Sequence, residues 1–229
     1  MIESIIDNSI IHKAIKRDIV KVNIIDLREY SQKKYKQIDD NPFGGGAGMV
    51  MMAKPLFEAL DFAINKINNK KNMKIIFPNP QGELWNHTHA KENSKSGDLI
   101  FICGHYKGID ERVVKKYVTH QYSLGDYILS NGELSSMILI DSLTRLIPGV
   151  LNTSNSAKTD SFYRPLLDAP YYTHPREIEG LKVPEILLSG NHKKIEEWRN
   201  NKREKRTMLK RPDLWKIYNE ENKSEYQNE

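Results

Sequence analysis

The chain has 229 residues, of which 38% are hydrophobic and 28% are charged, enough for one large domain or for an ordinary domain plus a smaller one. Its single cysteine, Cys103, excludes a disulfide framework and a zinc site built from cysteines. The net charge of +5 favours a polyanionic partner, although a solvated Lys-rich surface would give the same value. No apolar run could span a membrane and no secretion signal opens the chain, so we expect a cytoplasmic protein.

The first third of the chain mixes helical, extended and glycine-rich patterns. Isoleucines at helical spacing predict an amphipathic helix over 2–15, and alternation predicts a strand over 19–25. The charged stretch 28–40 is predicted to be a mobile loop. Glycines at 44–48 precede a helix with Pro55 in its first turn, but no Gly-Lys-Ser/Thr sequence closes this turn, which argues against a phosphate loop. The pattern favours close approach of the backbone to a ligand or to another chain.

Three predicted strands in the middle of the chain each run into a loop rich in glycine or proline. The strands cover 74–77, 99–103 and 121–124, and the loops cover 79–82, 104–108 and 125–132. Apolar runs without alternation are typical of parallel sheets covered on both faces. Because ligands bind beyond the carboxyl ends of such strands, the sequence predicts an α/β protein with a small-molecule pocket at this edge.

The third loop leads into a predicted helix over 134–147, which Pro148 and Gly149 end. This helix is apolar on nearly every side, so we expect it to be buried and to support the loop before it. Asp141, Thr144 and Arg145 are the polar residues of its later turns. Cys103, at the end of an apolar strand, is interpreted as a small buried hydrophobe in preference to a nucleophile.

The last third of the chain changes composition. A polar linker is followed by a segment rich in proline and aromatic residues over 166–188 and then by a strongly basic helical pattern after Gly190. Most Lys-rich helices are merely solvated. Because Trp198 and Trp215 are interleaved with the basic residues, we favour an RNA-contacting domain.

Several long motifs occur in a fixed order. They lie at 39–49, 103–104, 108–113, 124–130, 145–151, 167–173 and 183–192. In this order they resemble the bacterial tRNA (guanine-N1)-methyltransferase family (TrmD), and the resemblance covers almost the whole chain. It implies an enzyme that uses S-adenosyl-L-methionine to methylate N1 of guanosine-37, beside the anticodon of tRNA.

The resemblance also implies an architecture. Residues 1–151 would form a knotted, parallel-sheet methyltransferase domain of the SPOUT class, 152–160 an interdomain linker, and 161–229 a small helical tRNA-binding domain. Members of the family are homodimers, with the pocket at the interface and the C-terminal domain of one subunit closing over the pocket of the other. Magnesium would assist turnover, although no carboxylate cluster in the sequence defines a site for it.

Site residues follow from the resemblance position by position. Asp160 would be the general base that takes the N1 proton, and Arg145 would stabilise negative charge on the guanine. The structural alternatives are that Asp160 caps a helix before Phe162 and that Arg145 pairs with Asp141. The implied cofactor-binding residues are Pro80, Gly104, Leu124, Gly125, Asp126, Tyr127, Ile128, Leu129 and Gly132.

The sequence departs from the family pattern at several points. The family's first strand and the turn after it are missing. Lys107 stands where the family usually has Glu, His105 replaces a usual Arg, and Asn131 replaces the first of two glycines, a position where Asn tolerates positive φ. A second hypothesis is therefore a protein of the same fold that binds tRNA or S-adenosylmethionine but transfers methyl groups poorly. A third is a knotted methyltransferase that acts on another RNA.

Overall fold

The computed structural model describes residues 2–151 and 159–226, and the chain divides into two compact units, Met1–Asn152 and Thr153–Glu229. The helices of the first unit are α1 (Ile2–Ile6), α2 (Ile10–Lys16), α3 (Ala53–Lys66), α4 (His87–Asn93), α5 (Glu111–Tyr117) and α6 (Gly132–Thr144). Its strands are β1 (Asp39–Asp40), β2 (Val50–Met51), β3 (Lys74–Leu84), β4 (Leu99–Phe101) and β5 (His120–Ser123).

A parallel three-stranded sheet in the order β4-β3-β5 organises the first unit. This confirms the predicted α/β class with a parallel sheet. Strand β3 is longer than predicted, because it continues to Leu84 through the expected loop at 79–82. Pro78 and Glu83 both lie opposite Tyr122, so the residues between them leave the ladder with β5 before pairing resumes. The expected loop is therefore a bulge within one strand.

Both faces of β3 are covered, as its apolar run predicts. Side chains of a strand alternate between faces, and Ile75 and Phe77 pack with α3 and α5 through Leu56 and Val113. Ile76 points to the other face. There it is fully buried together with Tyr122 of β5 and Leu139 of α6. Each such side chain contributes about 1.5–3 kcal/mol on burial, so packing on both faces stabilises the first half of β3.

The N-terminal predictions are partly wrong. The helix expected over 2–15 is broken at Ser9, whose hydroxyl accepts a hydrogen bond from the amide of Ile11 and begins α2. No strand forms over 19–25 among the described residues, because extended propensity needs a partner strand and none lies alongside. The mobile loop expected over 28–40 instead contains 3₁₀ turns and β1, and Tyr30 packs against Phe62 of α3 at 5.9 Å between ring centroids.

Helix α6 begins at Gly132 and ends ahead of Pro148, close to the prediction. Leu139 and Thr144 are buried, but Ile138 is 48% exposed. Ile138 and the exposed Asp141 form a narrow uncovered face of α6, whereas Leu134 and Arg145 beside them are half-buried. The expectation that α6 is buried is therefore wrong at Ile138 and Asp141.

The second unit contains helices and a hairpin. The helices are α7 (Glu185–Leu188), α8 (His192–Lys210) and α9 (Pro212–Tyr226), and the antiparallel strands are β6 (Glu177–Ile178) and β7 (Leu181–Lys182). The composition-based prediction of helices missed this hairpin. Its signal is the dipeptide Glu179–Gly180, in which both residues adopt positive φ as a two-residue hairpin turn requires. Most of the expected linker, 152–158, lies outside the described residues.

Candidate functional site

A cavity of about 380 Å³ opens beyond the carboxyl ends of β4 and β5 and beside the bulge of β3. Its walls come mainly from three segments, which are 77–81 within β3, 104–109 after β4, and the end of β5 with the loop after it, 121–132. The sequence predicted that these three segments converge on one edge of the sheet, although the first of them is a bulge and not a loop. Apolar walls and exposed backbone groups suit a ligand with a flat apolar part and polar edges.

The predicted site residues do not all meet at this cavity. Every predicted cofactor-binding residue except Asp126 lines it, namely Pro80, Gly104, Leu124, Gly125, Tyr127, Ile128, Leu129 and Gly132. Arg145, the C-cap of α6, is not among the described residues that form its walls. Asp160 belongs to the second unit.

A close approach of two backbone segments fixes the floor of the cavity. The amide of Gly132 donates a hydrogen bond of 2.7 Å to the carbonyl of Gly104. A Cβ atom at position 132 would overlap the amide nitrogen of Gly104 and lie 2.8 Å from the carbonyl carbon of Cys103. Only glycine fits here, so the first residue of α6 and the end of β4 are held as one rigid element.

The segment after β5 forms the opposite wall. Gly125 has φ of +143°, and its amide donates to the hydroxyl of Ser123 at 3.2 Å. The ring of Tyr127 folds over Gly125 and would lie 2.8 Å from a Cβ placed there. Ile128 is 82% exposed. The segment therefore offers backbone groups and an uncovered apolar surface together, which suits contacts to a heterocyclic ring.

The loop after β4 carries Lys107, one of the departures from the family pattern. Tyr106 adopts φ of +60°, a strained conformation for an aromatic residue. The Lys107 amide donates to the carbonyl of Met49, and a Cβ at Gly48 would lie 3.0 Å from Cγ of Lys107. At Gly48 the glycine-rich turn thus approaches a side chain of its own chain, and its approach to a ligand or to another chain stays a prediction. Residue 107 is exposed at the edge of the cavity.

Two other departures have local structural roles. Nε2 of His105 lies 2.7 Å from Oε1 of Glu133, which links the loop after β4 to the first turn of α6. Asn131 caps α6, because its side-chain oxygen accepts from the amide of Leu134 at 3.1 Å. Asn131 has φ of −157°, so the expectation that this position needs a residue tolerant of positive φ is wrong.

Cys103 lies beneath the cavity, with Sγ 3.4 Å from the hydroxyl of Ser136. Burial raises the pKa of its thiol, and the charge of nearby Glu133 raises this pKa further, against the lowering effect of the Ser136 hydrogen bond. A thiol that stays protonated is a poor nucleophile. This supports the interpretation of Cys103 as a packing residue, although it is only partly buried.

In the second unit, Asp160 precedes a turn that does not begin a helix. Phe162 has φ of +74°, and the residues after it form turns and bends. The alternative that Asp160 caps a helix before Phe162 is therefore wrong. The carbonyl of Asp160 accepts a hydrogen bond from the amide of Tyr163 at 3.4 Å.

The basic residues of α8 fall into two groups. Lys202 and Lys205 are exposed, and Nζ of Lys202 lies 5.4 Å from the ring centroid of Trp198. Arg203 and Arg206 point inward to Asp168 instead, at 3.2 Å to its carboxylate and 2.7 Å to its carbonyl. The sequence could not predict which basic residues are exposed and which bind Asp168, because both groups are cationic and lie on the same helix.

No group of three or more His, Cys, Asp or Glu side chains within 2–151 and 159–226 is placed to hold a metal ion. Among the helices of the described ranges, none has the length and apolar character needed to cross a membrane.

The fold and the cavity define an α/β protein with a ligand site at the carboxyl edge of a parallel sheet. The chain belongs to the family of tRNA (guanine-1)-methyltransferases, TrmD, whose family model matches residues 1–217. This confirms the resemblance drawn from the motifs.

Curated relatives of the chain carry the name tRNA (guanine-N(1)-)-methyltransferase. One from Clostridioides difficile strain 630 is 48% identical over 217 residues, which cover 95% of this chain and 94% of the relative. One from Listeria monocytogenes strain EGD-e is 47% identical over 218 residues, covering 95% of this chain and 89% of the relative. One from Bacillus pumilus strain SAFR-032 is 48% identical over 214 residues, covering 93% and 87%.

Proposed function

We propose that this protein transfers the methyl group of S-adenosyl-L-methionine to N1 of guanosine-37 in tRNA. The observation that carries the proposal is the cavity formed by the bulge of β3 and the loops after β4 and β5, at one edge of a parallel sheet in a chain of this family. A methyltransferase of this family needs a methyl donor, and the cavity is the place to which we assign it. The adenine and ribose would contact the backbone of 124–129, and the methionine part would pass Gly132.

The proposed chemistry assigns one role to each of two side chains. Guanine N1 carries a proton and is a poor nucleophile, so a carboxylate must remove that proton as N1 attacks the sulfonium methyl group. Asp160 is our candidate for this general base. Negative charge then develops toward O6, and a guanidinium stabilises it well because it is always protonated. Arg145, at the end of the rigid helix α6, is our candidate for this role.

We further propose a homodimer and a knotted SPOUT-type thread in the first unit. The uncovered face of α6, with Ile138 at its centre, supports a subunit interface beside the cavity. The close backbone contact between Gly132 and Gly104 supports the proposed knot, because a knotted chain needs two of its segments to pass each other at short distance. The exposed lysines of α8 support tRNA binding by the second unit, and a tRNA substrate places the reaction in the cytoplasm.

The test is single-turnover methyl transfer to an unmodified tRNA transcript with guanosines at positions 36 and 37. We expect Asp160→Asn to lower the rate at least about 100-fold, because a positioned base contributes that much or more. The matched control is Asp98→Asn, an exposed carboxylate just before β4 that is outside the cavity wall and has no proposed role, and this variant should stay near the parent rate. Full activity of Asp160→Asn would remove Asp160 as the base, and absence of any methylation by the parent protein would reject the function.

Lys107 favours a second candidate function, a protein that binds tRNA or S-adenosylmethionine with weak methyl transfer. Its ammonium group lies at the edge of the cavity on the strained loop after β4, where the family usually has a carboxylate. Cofactor binding by calorimetry without methylation would favour this candidate. A Lys107→Glu variant that restored turnover would then assign the defect to this residue.

A further inference from the structure

We infer that Thr207 and Arg203 of α8 are positioning residues for Asp160. This inference rests on the proposed role of Asp160 as general base. Residues 160–168, which we name the Asp160 turn, form a short closed segment in the second unit. Helix α8 holds the far end of this turn, and it also carries the exposed lysines that we assign to tRNA.

The Asp160 turn is closed by its own hydrogen bonds. The amide of Asp168 donates to the hydroxyl of Ser161 at 2.9 Å, so the residue after Asp160 is fastened to the last residue of the turn. The amide of Phe162 donates to the carbonyl of Leu166 at 2.9 Å. These bonds hold Phe162 at φ of +74°, a conformation that an aromatic residue keeps only where its surroundings impose it. A displacement of Asp168 therefore moves Ser161 and the carboxylate before it.

Helix α8 fixes Asp168 and its neighbour through buried groups. Thr207 is fully buried, and its hydroxyl accepts from the amide of Leu167 at 2.8 Å while it donates to the carbonyl of Arg203 at 2.7 Å. The guanidinium of Arg203 binds the carboxylates of Asp168 at 3.2 Å and Glu196 at 2.8 Å. Burial lowers the pKa of Arg203, but its bonds to Glu196 and Asp168 outweigh this effect and raise the pKa overall.

The same helix also has an exposed basic surface, because Lys205 lies opposite Arg203 and Thr207, and Lys202 lies exposed beside Arg206. One rigid helix therefore joins the candidate tRNA surface to the turn that begins at Asp160. Binding of a phosphate backbone on one face would set the position of the general base through the other face. Misplacement of a reacting group by about 1 Å can lower a rate by about 100-fold, so these contacts bear on catalysis as well as on folding.

The experiment compares Thr207→Val, which keeps the shape but removes the hydroxyl, with Thr207→Ser, which keeps the hydroxyl. We expect Thr207→Val to lower the single-turnover rate at saturating tRNA and S-adenosylmethionine by about tenfold to 100-fold. The Kd for tRNA should change less than about twofold, and Thr207→Ser should restore most of the rate. Asn201→Ala, at an exposed position of α8 without a proposed role, is the control, and it should change neither the Kd for tRNA nor the saturated rate.

Thermal unfolding of each variant shows whether a lower rate comes from loss of folded protein or from a displaced Asp160. The rates are therefore measured well below the midpoint temperature of unfolding. If Thr207→Val does not fold, Ser161→Ala removes the bond that closes the turn without altering α8, and it should also lower the saturated rate. A parent-like saturated rate in the folded Thr207→Val variant would overturn the inference, and so would a parent-like rate in Ser161→Ala if Thr207→Val does not fold. The proposed function would remain intact in either case, provided that Asp160→Asn is inactive. A fully active Asp160→Asn variant would instead reject the role of Asp160.

Discussion

At the scale of single residues, two of the departures from the family pattern make local contacts that explain how they fit the site. Asn131 replaces a glycine, yet it caps α6 with its side-chain oxygen at 3.1 Å from the Leu134 amide. His105 replaces an arginine and lies 2.7 Å from a carboxylate oxygen of Glu133. Both contacts fix the geometry where α6 begins at the cavity. The changes are therefore compatible with an ordered site.

We expect Asn131→Ala to destabilise the first turn of α6 by about 1 kcal/mol, because the substitution removes a helix cap. The amide of Leu134 should then exchange with deuterium about fivefold faster, which hydrogen exchange resolved to single residues measures. Asn131→Asp is the matched control, since it keeps an acceptor at the positive end of the helix dipole. Unchanged exchange in the alanine variant would contradict the capping role.

At the scale of elements, the site depends on how β4 and α6 meet. Strand β4 ends at Phe101, and its continuation carries Gly104 directly against Gly132, the first residue of α6. Alternating side chains of β3 anchor both faces of the sheet beneath this contact. The loops therefore stand on packed elements, which reduces the ordering cost of ligand binding.

We expect Gly132→Ala to lower the affinity for S-adenosylmethionine at least tenfold and the stability by about 1–3 kcal/mol, because the added methyl group overlaps backbone atoms that cannot move aside. Isothermal titration calorimetry and urea unfolding measure the two effects. The control is Lys115→Ala, an alanine substitution at an exposed position of α5 that should change neither quantity. Parent-like affinity of the Gly132→Ala variant would show that the tight contact does not shape the cavity.

At the scale of the whole molecule, surface character differs between faces. The net charge of +5 is modest, but helix α8 by itself carries eight lysines and arginines against three glutamates. In the first unit, Ile128 in the cavity wall and Ile138 on α6 leave apolar surface uncovered. Basic surface suits a polyanion, and apolar surface suits a second copy of the chain.

We expect Ile138→Arg to convert the proposed homodimer into monomers at micromolar concentration, because an unpaired guanidinium buried in an interface costs several kcal/mol. Size-exclusion chromatography with light scattering measures the mass. Ile178→Arg is the matched control, since this isoleucine is 60% exposed on the hairpin of the second unit. A dimer that persists in Ile138→Arg would place the interface elsewhere, and a parent protein that is monomeric would reject the homodimer.

Much of this molecule is determined locally by its sequence. Local patterns predict β4 from its apolar run, α3 from its apolar stripe and the end of α6 from the proline after it. These predictions succeed because burial and backbone restrictions act over a few residues. The order of the loops then predicts a cavity at the carboxyl edge of a parallel sheet. Ordered motifs identify the family, since long sequence patterns persist where a site constrains them.

Other features were decided only by tertiary structure. Residues 19–25 have the composition of a strand but lack a partner, because pairing is a property of two segments. The arginines and lysines of α8 look alike in sequence, yet Arg203 binds Asp168 while Lys202 stays in solvent, because the turn 160–168 packs on one face alone. Position 132 likewise requires glycine because the backbone of Gly104 lies against it. Gly104 is distant along the chain and becomes a neighbour only when the sheet and α6 assemble.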